Sequence, residues 1–309
     1  MKIISVVTGT YNEEENIGEF CQRVNAVFEK LPGYRYEIIV IDNSSQDGTV
    51  GVLRRLASTD PRIKVILNAR NFGPIRSGFY VITQGAGDAV IALASDLQDP
   101  PEMIAEFISE WEKGSKIVLG IKNQSEESAL FFAIRKLYYK IVTRFADVKM
   151  NINSTGFGLY DAAVIKVLRE IRDPYPYFRG LICEIGFESA KVYFTQPARK
   201  RGITKSNFYL LYDIAMLGIT EHSKVPLRLA TMCGFAASLF SFCVAIIYLV
   251  YKLLYWEDFS LGTAPIVIGL FLFSSVQLFF IGILGEYIGS IHTKVLNRPL
   301  VVEKERINF

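Results

Sequence analysis

The sequence has little charge bias, few cysteines and no glycine fingerprint after its first strand-like run. Net charge is only +3, so the overall balance gives no support to a nucleic-acid partner. The four cysteines (Cys21, Cys183, Cys233 and Cys243) show no CxxC spacing, and two of them sit in apolar runs. They read as buried thiols, not as a metal cage or a disulfide framework, which fits a reducing compartment for the soluble part. No GxGxxG follows the first strand, which argues against a nucleotide-binding Rossmann enzyme. The chain opens on a strand-like run, without the basic, apolar and small-residue succession of a signal peptide. No internal repeat and no low-complexity linker is found.

What is present is unevenly spread. Half of the 309 residues are hydrophobic and mean hydropathy is +0.26. The length suffices for one substantial domain plus an appendage. The first two-thirds alternate strand and helix patterns. Ile3 to Thr8, Glu37 to Ile41, Lys64 to Leu67, Ala89 to Ala94 and Ile117 to Leu119 read as strands. Asn12 to Leu31, Thr49 to Ala57 and Arg76 to Gly85 read as helices, and Pro100 and Pro101 start another. Strands separated by helices without tight hairpins predict a parallel α/β sheet covered on both faces.

The last third changes character. Leu229 to Tyr251 and Leu261 to Gly285 contain no charged residue, and each exceeds the roughly 20 residues that cross a bilayer. Two buried core helices are the alternative. Lys224 and Arg228 flank one outer end, Lys294 and Arg298 the other, so the positive-inside rule places both termini in the cytosol. Tyr248, Tyr251, Tyr255 and Trp256 suit an aromatic belt near the outer turn. Asn207 to Pro226 reads either as an amphipathic helix on the membrane surface or as a helix packed on the globular domain.

Four clusters carry candidate chemistry. Thr10-Tyr11-Asn12-Glu13 follows the first strand, and Asp42-Asn43-Ser44-Ser45 the second. Ligands of open α/β sheets bind at the carboxyl ends of strands, although Asn and Asp there also serve turns. Ser95-Asp96-Leu97-Gln98-Asp99 follows the fourth strand. An Asp with a Gln two residues on suits a hard divalent cation held against a diphosphate; Asp99 also suits a helix cap. Arg199-Lys200-Arg201-Gly202-Ile203-Thr204-Lys205 suits a loop that clamps phosphates, or one that meets anionic lipid.

In order, these stretches resemble the family 2 glycosyltransferases of the polyprenyl-phosphate hexose synthase type, dolichol-phosphate mannose synthases among them. The matching runs are TYNEEENI from Thr10, VIDNSSQDGT from Val40, RNFG from Arg70, SDLQDPPE from Ser95, YFRGLICEIGF from Tyr177 and RKRGITKS from Arg199. The two apolar runs followed by GEYIGSIHTKVLNRP from Gly285 match the membrane-anchored members. The resemblance implies a GT-A fold (Rossmann-like, mostly parallel sheet) at 1–206, a juxtamembrane segment at 207–227, two transmembrane helices within 228–290 and a cytosolic tail at 291–309. It implies a nucleotide-diphosphate sugar donor, Mg²⁺ or Mn²⁺, inversion, a polyprenyl phosphate acceptor in the bilayer, and a homo-oligomer, a tetramer in that family.

By position, Thr10, Tyr11, Glu13, Asp42 and Asn43 line the nucleotide pocket. Asp96 and Gln98 hold the metal, and Asp96, Arg199 and Lys205 serve catalysis. Arg135, Arg144 and Arg179 receive the acceptor phosphate. Three positions depart from the family pattern. Ala94 replaces the first Asp of Asp-x-Asp. Asn43-Ser44-Ser45 replaces Asp-Gly-Ser. Thr155-Gly156-Phe157-Gly158-Leu159 stands where Gly-Asp-Phe-Arg-Leu is usual. A phosphate monoester is already largely ionised at neutral pH, whereas a hydroxyl acceptor needs a base. Loss of the carboxylate at Gly156 therefore favours a lipid-phosphate acceptor. The competing readings are a sugar-hydroxyl transferase in polysaccharide synthesis and a degenerate nucleotide-sugar-binding relative.

Overall fold

The computed structural model describes residues 1–122, 154–197, 213, 216–221, 223–255 and 263–309. Strands β1 (Lys2–Thr10), β2 (Tyr34–Asp42), β3 (Ile63–Asn68) and β4 (Ala89–Ala92) alternate with helices α1 (Ile17–Glu29), α2 (Thr49–Thr59) and α3 (Pro74–Gln84). After a 3₁₀ turn at Pro101–Met103 come α4 (Ile104–Glu112) and β5 (Ile117–Lys122). Beyond them lie β6 (Ser154–Asp161), α5 (Ala162–Glu170), α6 (Phe178–Glu184) and β7 (Ser189–Phe194). Two long helices, α7 (Val225–Leu254) and α8 (Thr263–Val295), precede a last strand, β8 (Glu303–Ile307).

One eight-stranded sheet runs in the order β7-β5-β6-β4-β1-β2-β3-β8. β4, β1, β2 and β3 are parallel neighbours, and β6 enters antiparallel between β4 and β5. The central strands are β-branched runs rather than alternating ones because both faces are covered. Val6 and Val7, on opposite faces of β1, are both buried. One face packs against α1, α2 and α4 through Phe20, Leu53 and Phe107. The other packs against α3, α5 and α6 through Phe79, Ile165 and Ile182.

α7 and α8 do not join this core. Phe235, Phe240, Leu272 and Phe279 are among the large apolar side chains they expose. Candidate spans at Val225–Val244 and Gly269–Val295 are long and apolar enough to cross a membrane, and neither is buried. The two-core-helices alternative therefore fails. The base of the hairpin is nevertheless fastened to the soluble part. Tyr287 donates to the carbonyl of Ser223 at 2.5 Å, and Lys294 pairs with Glu221 at 3.0 Å and Asp173 at 3.2 Å.

The chain then returns to the sheet. Residues read from sequence as a cytosolic tail form β8, antiparallel to β3 with Val65 opposite Ile307. Asn308 donates to the carbonyls of Ala57 and Ile63.

Candidate active site

The carboxyl edge of the parallel strands is built from loops that hold one another. Asn12 has a left-handed backbone, φ 55°. Its N–H donates to Ser45 Oγ at 2.8 Å, and its Oδ1 accepts from the Gln46 N–H at 2.7 Å. The Glu13 N–H donates to Thr49 Oγ1, and the Glu14 carboxylate accepts from the Gly48 N–H. The β1 and β2 loops are thus one laced unit.

Thr10 and Asp42 lie beneath it, only 3% and 1% exposed. Asp42 accepts from the Ser45 N–H at 2.9 Å and from Thr10 Oγ1 at 3.3 Å. Both hold the loop from below, while Tyr11 and Glu13 are part-exposed above it. The Glu13 carboxylate accepts from Asn16 Nδ2 at 2.6 Å.

Asn43 also faces inward. Its Oδ1 accepts from Ser77 Oγ at 2.7 Å, Asn68 Nδ2 at 3.0 Å and the Phe72 N–H at 3.1 Å. Its Nδ2 donates to the Gly73 carbonyl at 3.2 Å. The sequence reading placed it against the nucleotide; in the structure its amide joins the β2 loop to the turn after β3 and to α3. The signal was present in RNFG, whose Phe72 and Gly73 supply two of the partners.

The loop after β4 alternates buried and part-exposed residues. Leu93, Ser95, Leu97 and Asp99 point in; Ala94, Asp96 and Gln98 are part-exposed. Ser95 Oγ donates to the Gly9 carbonyl at 3.0 Å, which anchors the loop to β1. Asp96 Oδ1 accepts from the Gln98 N–H at 3.1 Å, and Leu97 between them takes φ 62°. Asp99 accepts from the Ala94 N–H at 3.0 Å. Its pKa is pushed up to about 6, chiefly by burial, with the Asp96 charge adding and Lys122 and Arg179 opposing.

Antiparallel pairing brings further residues to this edge. Ala92 faces Gly158, and Ile121 faces Ser154, so the start of β6 and the end of β5 meet the end of β4. Asp96, Asp99, Lys122, Gly156 and Arg179 therefore share one corner, and the charge of Arg179 is felt at Asp99. Arg135, Arg144, Arg199 and Lys205 lie outside the described residues. Asp161 sits at the opposite edge, facing Ala89. Its carboxylate accepts from Trp111 Nε1 at 2.7 Å, Lys116 Nζ at 3.1 Å and the Ala163 N–H at 2.9 Å.

The donor set fits a hard divalent cation with few protein ligands. Among the described residues no group of three or more His, Cys, Asp or Glu is placed to hold a metal. Mg²⁺ needs only one or two carboxylates when phosphates and water complete its shell. Asp96 and Gln98 are part-exposed, and the negative charge of Asp96, which acts on Asp99, is what such an ion would relieve.

The departures in β6 are built into the backbone. Gly156 has φ +92°, and Tyr160 donates to its carbonyl at 2.8 Å. A Cβ on Gly158 would lie 2.3 Å from the Val118 carbonyl oxygen, so no side chain fits there. Phe157 instead turns into the core, edge-on to Phe107 at 4.8 Å and Phe194 at 5.2 Å.

A mostly parallel sheet with laced loops at its carboxyl edge and an apolar helical hairpin joined at that same edge is the layout of a GT-A glycosyltransferase. Residues 5–169 match "Glycosyl transferase family 2", and residues 225–291 match "GtrB C-terminal hairpin". The chain belongs to glycosyl transferase family 2. It is 31% identical to the SfII prophage-derived bactoprenol glucosyl transferase of Shigella flexneri over 98% of this chain and 97% of that one. It is 30% identical to the uncharacterized glycosyltransferase YkcC of Bacillus subtilis, over 96% and 92%. A solved mannosyltransferase from Pyrobaculum calidifontis, in complex with GDP-Man and Mn²⁺, is 15% identical over 96% of this chain and 87% of that one, with a TM-score of 0.45.

Proposed function

We propose that the protein transfers a hexose, with inversion, from a nucleotide-diphosphate sugar to an undecaprenyl-type polyprenyl phosphate at the cytosolic face of a membrane. The observation that carries this reading is the direct attachment of the hairpin to the donor edge. Only seven residues separate α8 from β8, and Arg76 beside β3 donates to the carbonyl of Pro299 between them. A sheet fastened this closely to membrane helices meets an acceptor confined to the bilayer at high effective concentration. The relatives named bactoprenol glucosyl transferases support the same acceptor class.

The β6 backbone supports the nucleophile. Gly156 carries no carboxylate and Gly158 admits no side chain. An oxygen of a phosphate monoester, a group largely dianionic at neutral pH, needs no base there. In the proposed reaction this oxygen bonds to the anomeric carbon as the bond from that carbon to the nucleotide diphosphate breaks. The diphosphate leaves with the electron pair. The laced β1 and β2 loops seat the nucleotide, with Tyr11 and Glu13 on the open side. Arg179 at the Asp96 corner offers positive charge to the incoming phosphate, together with Arg135 and Arg144. Arg199 and Lys205 close over the donor. A divalent cation, Mg²⁺ or Mn²⁺, held by Asp96 and Gln98 would supply charge neutralisation for the leaving diphosphate. Both termini are cytosolic in this arrangement, and the working unit is a homo-oligomer.

The test is to incubate the detergent-solubilised protein with undecaprenyl phosphate, Mg²⁺ or Mn²⁺ and a panel of UDP- and GDP-sugars, measuring nucleotide release and glycolipid. Lipid-dependent release with one sugar is expected. Donor binding without release across the panel would replace this reading with a nucleotide-sugar-binding relative.

A further inference from the structure

The rim of the sheet at β3 carries positive charge that the chemistry at β4 leaves unused. Arg70 lies in the turn after β3, Arg76 in the first turn of α3, and Arg298 three residues past α8. The Arg70 and Arg76 guanidinium carbons lie 4.0 and 5.4 Å from the centre of one Phe72 ring. One Arg76 nitrogen donates to the carbonyl of Pro299, which fixes the neighbour of Arg298 at the same place. Among the described residues, Arg70 donates only to the carbonyl of Asn71, at 3.0 Å.

None of the three arginines pairs with a carboxylate among the described residues. The Arg76 Nε is buried and has no hydrogen-bond partner among the described residues. The Arg76 pKa is held below its usual value by burial first, then by the charge of Arg70, with Arg298 adding. Like charges crowded around a partly buried guanidinium are costly, and an anion beside them would offset that charge.

We propose that Arg70, Arg76 and Arg298 form an anion site that takes a phosphate group. Guanidinium forks match phosphate oxygens in shape and charge. β1 and β2 separate β3 from β4, so at about 4.8 Å per strand this site lies roughly 14 Å along the rim from the Asp96 corner. It is therefore separate from the donor diphosphate. That separation rests on the transferase reading, whereas the anion site itself does not. The same chemistry has two sources at this position, a soluble phosphate or the headgroup of a lipid beside α8.

The test reads binding, so it is independent of turnover. Full-length protein in neutral maltoside detergent at low ionic strength is titrated with inorganic phosphate against chloride at matched ionic strength. A second arm uses dihexanoyl phosphatidylglycerol against dihexanoyl phosphatidylcholine, with Tm as the readout in both. One or both phosphate-bearing anions should raise Tm. Arg76→Gln and the exposed Arg298→Gln should weaken apparent affinity roughly tenfold or more, while Lys191→Gln on β7 should leave it unchanged. A response to inorganic phosphate assigns a soluble ligand, and a response to phosphatidylglycerol alone assigns a headgroup. Equal shifts in the wild type and both arginine variants, or no shift with either anion, would overturn the site. An equal loss in Lys191→Gln would do the same.

Discussion

The side-chain oxygen of Asn43 accepts the main-chain N–H of Phe72 at 3.1 Å, across 29 residues of sequence. With the Asn43 amide donating to the Gly73 carbonyl, this contact ties the β2 loop to the turn after β3. An aspartate at this position loses that donor and sets a second oxygen against a carbonyl. Asn43→Asp is expected to destabilise the protein by about 1–3 kcal/mol and to raise KM for the donor several-fold, with a smaller change in kcat. Wild-type KM and Tm in the variant would refute the positioning role.

Asp96 is the part-exposed carboxylate of its loop, and the fold does not depend on it, since among the described residues its side chain bonds only a main-chain N–H two residues away. Asp96→Ala should abolish transfer while leaving Tm within a few degrees of wild type. Turnover and metal dependence are measured together. A variant that still turns over at the wild-type rate would remove Asp96 from the site.

The four central strands were legible because β-branched runs buried on both faces have few alternatives. The two long apolar helices were legible by length. Ile117 to Leu119 also read as a strand and lies in β5; β6, β7 and β8 were not legible. In β6, Gly156 and Gly158 stood out only as departures from the family motif; in the sheet, Gly158 lies too close to the Val118 carbonyl for any side chain. In β8, Glu303, Lys304, Glu305 and Arg306 read as a solvated tail, yet charge is what an exposed edge strand needs to resist pairing with another chain. The candidate site was half legible. The loops carrying Tyr11, Glu13, Asp96 and Gln98 do converge on the carboxyl edge. The inward turn of Thr10 and Asn43 depends on hydrogen bonds to partners 25 to 34 residues away, two of which lie in RNFG.

Gly158→Ala should be severe for its size. The added methyl would lie 2.3 Å from a carbonyl oxygen of β5, so β5 and β6 must part. The expected cost is roughly 2–4 kcal/mol, seen as a lowered Tm. Restoring the common family residues, Gly156→Asp with Gly158→Arg, should abolish folding rather than improve activity. A well-folded double variant would refute the packing argument.

Asp161 caps α5 and accepts from Trp111 and Lys116. Burial would raise its pKa, but the hydrogen bonds from Trp111, Ala163 and Lys116 outweigh that and hold it below the ordinary value. Because the folded-state pKa is depressed, its stabilisation is present above the unfolded value of about 3.9 and is lost as pH falls through the folded value. Asp161→Asn should therefore lower Tm at pH 7 and lower it progressively less below about pH 4. A cost that stays constant down to pH 3 would show that the charge on Asp161 contributes nothing.

Deletion of residues 301–309 tests whether the end of the chain belongs to the sheet. It removes β8 from β3, the buried Val301, the Tyr80–Glu303 bond and the two Asn308 bonds. It also leaves β3 as an open, apolar edge, which is prone to pairing between molecules. α8 ends at Val295, so the hairpin itself is untouched. At about 1 kcal/mol for each lost hydrogen bond, the expected cost is roughly 3 kcal/mol or more, with aggregation on size-exclusion chromatography. Glu305→Ala is the control. It breaks only the exposed pair with Arg54, and such solvent-screened pairs contribute little. If the truncated protein keeps its Tm and elutes as the wild type does, β8 is dispensable and the hairpin is held to the catalytic sheet only by contacts such as Tyr287 with Ser223 and Lys294 with Glu221.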